Sequence, residues 1–88
     1  MASYKLEFKP SAERELTKLP RPIIPRIVKA IDALLENPFP RHGEKLSGSD
    51  NAYRIRIGEY RVIYTVERSA LVVTVIRVGH RREVYRKR

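Results

Sequence analysis

Residues 53–64, Tyr53-Arg54-Ile55-Arg56-Ile57-Gly58-Glu59-Tyr60-Arg61-Val62-Ile63-Tyr64, hold two strand-like runs separated by two residues, and their reading decides the fold. Apolar and charged side chains alternate along the first run, the period-two pattern of a strand with one buried face. Gly58-Glu59 has the length of a two-residue hairpin loop, with glycine at the first central position as a type II′ turn requires. Such a loop pairs Ile57 with Tyr60, Arg56 with Arg61, Ile55 with Val62, Arg54 with Ile63 and Tyr53 with Tyr64. One face then collects Tyr53, Ile55, Ile57, Tyr60, Val62 and Tyr64, and the other collects Arg54, Arg56 and Arg61.

Working outward, Leu71 to Val78 is a third apolar run, joined to the second through Glu67 to Ala70 as another hairpin. On the other side, Phe39 to Asn51 is turn-rich (Pro40, Gly43, Gly48, Ser49, Asp50), a connection with an edge strand near Lys45-Leu46. Ile24, Ile27, Val28, Ile31, Leu34 and Leu35 recur at helical spacing until Asn37-Pro38 stops them. Before the Pro20-Arg21-Pro22 break, Pro10 suits a first helical position and Ala12, Leu16 and Leu19 share a face, which predicts a short helix to about Leu19. Tyr4, Leu6 and Phe8 alternate with Lys5 and Glu7 as a first strand. The expected order is β-α-α-β-β-β. This is an α+β fold: one small domain over 1–88, with a twisted, antiparallel-rich sheet and a two-helix hairpin packed on one face.

Eighty-eight residues, 42% of them apolar, suffice for one modest core, and the absence of cysteine leaves no disulfide or thiolate metal site to staple it. No apolar run approaches bilayer length, and MASYKLEF lacks a basic segment followed by a long apolar stretch, so the expectation is a cytoplasmic protein without a membrane partner. The formal charge is +9 and unevenly placed: residues 1–52 carry a net +2, residues 53–88 a net +7. A field concentrated in the C-terminal half favours a polyanionic partner, although such a charge also serves solubility.

Within that half, Arg56 opposite Arg61 breaks a local rule, because like charges directly opposed on a sheet cost a few tenths to about 1 kcal/mol. A phosphate between the guanidiniums would turn the repulsion into charge-assisted hydrogen bonds. Solvation of an open sheet face is the competing reading. The last run continues into Gly79-His80-Arg81-Arg82-Glu83-Val84-Tyr85, which adds cations and a phenol, the composition of an RNA-facing surface. His42 reads as exposed loop polarity, and His42 with His80 makes no metal motif, so no metal is expected. No glycine-rich phosphate loop or serine nucleophile turn is present. Glu13, Glu15, Glu36 and Glu44 read as helix and loop charges.

With these residues in view, the chain resembles the RelE family of toxins from prokaryotic toxin-antitoxin pairs, within the wider RelE/ParE superfamily. The resemblance spans nearly the whole chain. It rests on Phe8-x-x-x-Ala12 with Leu16 and Lys18-Leu19, Lys45-Leu46-x-Gly48, Tyr53-Arg54-Ile55-Arg56, Tyr60-Arg61-Val62-Ile63-Tyr64, and Val78-Gly79-His80-Arg81 followed by Val84-Tyr85. It implies a ribosome-dependent endoribonuclease that cuts messenger RNA in the ribosomal A site and inhibits translation. The 2′-hydroxyl would attack the adjacent phosphate with neither metal nor cofactor. It also implies a cognate RelB-like antitoxin, the chain being monomeric alone and hetero-oligomeric with that partner.

Residue by residue, the resemblance places Arg54 and Arg56 where relatives carry basic active-site residues, often lysines. Arg61 and Arg81 match arginines that hold the phosphate and its leaving oxygen, and Tyr85 matches a tyrosine that stacks on or orients the substrate. Arginine does not give up its proton in proteins, so Arg54 and Arg56 are expected to act electrostatically, with His80 as an alternative acid or base. Two other readings stay open: a ParE-like DNA gyrase inhibitor, and a non-catalytic RNA- or ribosome-binding module.

Overall fold

The computed structural model describes residues 3–80, and in it the chain forms five strands, two α-helices and one 3-10 turn in the order β1 Lys5–Phe8, α1 Pro10–Thr17, the turn Arg21–Ile23, α2 Ile24–Glu36, β2 Glu44–Lys45, β3 Ala52–Ile57, β4 Tyr60–Glu67 and β5 Val72–His80. Each α-helix starts with a proline in its first positions, where a missing N–H costs nothing. In α2, Ile27, Ile31 and Leu34 recur at helical spacing and are all buried. That helix ends at Asn37, whose N–H donates to the Ala33 carbonyl and whose Oδ1 accepts the Phe39 N–H. No described helix is long and apolar enough to cross a membrane.

The strands form one sheet in the order β1-β5-β4-β3-β2, antiparallel except where β1 lies parallel to β5. The fold is thus the α+β arrangement expected, and the β3–β4 register is the expected one at every pair from Tyr53↔Tyr64 to Ile57↔Tyr60. Gly58 takes φ +60° in the turn, a left-handed conformation that an L side chain enters only with strain. Ile55, Val62 and Tyr64 join the helix residues Ala12, Ile27, Ile31 and Leu34 in one core, so both helices cover the same face of the sheet.

Beyond the parallel pairing of β1 with β5, two local features were not anticipated. β5 carries a bulge: Ile63 pairs with Arg77 and Tyr64 with Val75, which leaves Ile76 without a partner. The extra residue resets the alternation, and for that reason Val73, Val75 and Val78 can all be buried on the helix side. The second feature is an aromatic anchor. Tyr64 donates its hydroxyl to the Pro38 carbonyl at 2.8 Å, Tyr53 stacks on Tyr64 at 5.9 Å, and Phe39 meets Tyr53 edge-on at 5.2 Å. This anchor fixes the segment that leads into β2, and β2 in turn supplies a residue to the opposite face.

Candidate functional site

The face away from the helices carries the charge. Alternation along β3 and β4 puts Arg54, Arg56 and Arg61 on it together, with Arg56 directly opposite Arg61 and Arg54 opposite Ile63. Arg61 faces Gly79 on its other side, so neither cross-strand neighbour brings it an anion. The three arginines differ in exposure. The Arg56 side chain is 56% exposed and that of Arg54 20%, whereas Arg61 is 7% exposed.

Burying a guanidinium is expensive unless a carboxylate or good hydrogen bonds compensate it. Arg61 has neither in full. Its Nη1 donates to the Tyr60 carbonyl at 3.4 Å, its Nε is buried with no hydrogen-bond partner, and no carboxylate pairs with it among the described residues. A phosphate oxygen is the kind of acceptor to which such a donor set can donate.

One carboxylate does reach this face. Glu44 on β2 lies across from Arg54, forms an ion pair with it, and holds Oε1 3.8 Å from Arg56 Nη2. The expectation that Glu44 is an ordinary loop charge is therefore corrected: a two-residue edge strand carries it into the arginine cluster. The signal was present in the sequence only once β2 could be registered against β3.

Glu15 departs from expectation too. From α1 it accepts the Val78 N–H at 2.8 Å and Arg77 Nε at 3.1 Å, and so caps β5 beyond the point where β1 ends. This pair knits a helix to the sheet edge, and the register Arg54↔Ile63↔Arg77 sets Arg77 on the same face as the three arginines, with Glu15 as its own carboxylate.

His80 does not join the arginines. It pairs with Tyr60 and meets that ring edge-on at 5.7 Å, on the helix side of the sheet. The bulge at Ile76 is the physical reason. Uninterrupted alternation from Val75 would have carried His80 to the arginine face, and one extra residue returns it to the side of Val75 and Val78. Arg81 and Tyr85 lie outside the described residues. Among the described residues, no three His, Asp or Glu side chains gather as a metal-binding group.

Comparison with known proteins adds a family to this geometry. The model of a family described as the ParE toxin of type II toxin-antitoxin systems matches residues 6–85. Toxin RelG of Mycobacterium tuberculosis is 34% identical over 89 aligned residues, covering 96% of this chain and 98% of the relative. The isolated RelE toxin of E. coli superposes with a TM-score of 0.81 at 34% identity, covering 94% of this chain and 92% of that one. The toxin of the archaeal RelE-RelB complex from Pyrococcus horikoshii gives a TM-score of 0.79 at 30% identity, covering 90% and 96%.

Proposed function

The chain belongs to the RelE/ParE superfamily of type II toxins, with RelE toxins among its relatives, and from that premise we propose that it is an endoribonuclease that cuts messenger RNA in the ribosomal A site. The observation that carries this reading is the buried Arg61 without an acidic partner among the described residues, set across from Arg56 on a face shared with Arg54. A structural arginine would be expected to acquire a carboxylate; one that awaits a phosphodiester would not.

In the proposed reaction the ribose 2′-hydroxyl gives up its proton as its oxygen attacks the adjacent phosphorus, and the 5′-oxygen takes up a proton as its bond to phosphorus breaks, leaving a cyclic phosphate and a 5′-hydroxyl. Negative charge builds on the non-bridging oxygens of the phosphorane. In this reading Arg61 and Arg56 stabilise that charge, in a site where preorganised donors act more strongly than water does. Arg54 adds to the field. Arg81 is assigned to the phosphate and its leaving oxygen, and Tyr85 to stacking on or orienting the substrate, by resemblance to their counterparts in the family. No metal or cofactor has a part in this scheme.

The antitoxin partner is proposed on the same footing, since the RelE toxins of E. coli and P. horikoshii occur in complexes with RelB. A second reading has one observation in its favour, the family match to ParE toxin, and it would make the chain a gyrase poison. Induction in cells followed by mapping of messenger ends separates the two. Cuts within codons that vanish in Arg61→Met support the nuclease. Intact messengers accompanied by DNA breaks support the gyrase poison.

A further inference from the structure

Resting on the reading of this face as a phosphodiester site, we infer that Glu44 is a built-in competitor for the substrate phosphate, a specificity residue that makes the site weak toward RNA lacking other points of attachment. The carboxylate of Glu44 pairs with Arg54 and stands 3.8 Å from Arg56 Nη2. Carboxylate and phosphate oxygens use the same guanidinium donors in the same geometry. An incoming phosphate must therefore displace Glu44 and then tolerate its negative charge close by.

The place of Glu44 suits displacement. It sits on a two-residue strand at the edge of the sheet, half of its side chain is exposed, and the next backbone bond of the pairing, Leu46 N–H to the Ala52 carbonyl, does not depend on its carboxylate. Among the described residues Arg61 is left out of the pairing, so Glu44 stands beside two of the three arginines, Arg54 and Arg56, and no carboxylate pairs with the third. A single phosphate approaching from solution exchanges one oxyanion for another over most of the site and gains little. An RNA held in register by a larger docking surface brings its phosphate at high effective concentration and wins the exchange. On this account the face selects docked RNA over free RNA through Glu44.

The test uses the whole chain and a single-stranded RNA hexamer with 2′-O-methyl sugars, which cannot be cut by attack of a 2′-oxygen. Binding is followed by fluorescence anisotropy and by the Nε–H resonances of ¹⁵N-labelled arginine, for wild type, Glu44→Gln and Glu44→Ala. Both variants are expected to bind roughly threefold more tightly or better, as loss of an exposed ion pair permits, with the gain shrinking as salt rises. A carboxylate that merely holds the arginines in position would give the opposite sign. Equal or weaker binding by both folded variants, with arginine resonances still moving, overturns the role of Glu44 and leaves the site standing. If no Arg54, Arg56 or Arg61 resonance moves in any of the three proteins, the site reading itself falls and takes this inference with it.

Discussion

Replacing Arg61 by methionine keeps a long, flexible stem and removes a buried charge with no acidic partner among the described residues. Exchanges of buried ionic groups for apolar ones are often neutral or stabilising by about 1 to 4 kcal/mol. Arg61→Met should therefore melt at or above the wild-type temperature in calorimetry while losing nuclease activity. A drop of several degrees would mean that Arg61 serves the fold. Tyr64 is the converse case, a buried polar group fully used. Burial, and then the neighbouring Tyr53, push its phenol up to about 12. The folded chain thus holds that proton more tightly than the unfolded one, whose tyrosines titrate near 10. This contribution is complete below about pH 10 and is lost as the pH rises toward 12. Tyr64→Phe removes the bond to the Pro38 carbonyl and should cost about 1 kcal/mol in urea unfolding. It should also flatten the alkaline limb of the stability profile.

The β3–β4 hairpin was legible because a two-residue loop leaves no freedom in the register, and Arg56 opposite Arg61 follows from counting back from Gly58-Glu59. Gly58→Ala tests that element. With φ at +60°, alanine there should destabilise the chain by about 1 kcal/mol and loosen the facing arginines, so that thermal stability and oligonucleotide affinity fall together. The placement of β1 beside β5 was not legible, since it depends on both helices packing across the sheet, and alternation within four residues says nothing of the neighbour chosen. The bulge at Ile76 hid for another reason. From Leu71 to Val78 only Thr74 and Arg77 are polar, and their odd spacing of three is the one sign of the slip, too little to fix where the extra residue lies and so which face His80 takes. Glu44 escaped because a two-residue strand carries too little pattern to be registered by eye.

At the scale of the whole molecule, the helices cover one side of the sheet and Arg54, Arg56 and Arg61 sit on the other, in the half of the chain that carries a net +7. Binding of single-stranded RNA through two or three such contacts should weaken with salt along a log–log slope of about −1.5 to −2, and Arg56→Gln should reduce that slope by roughly one contact. The central claim is that these guanidiniums hold one scissile phosphodiester while a 2′-oxygen attacks it. Purified chain, ribosomes and a short messenger test it most directly, with the messenger also supplied bearing a single 2′-deoxy sugar at the mapped cut. The account predicts cleavage in the A site that leaves a 2′,3′-cyclic phosphate and a 5′-hydroxyl, no cut at the deoxy position, and none with folded Arg61→Met. Undiminished cleavage by Arg61→Met, or cleavage at the deoxy position, would contradict it.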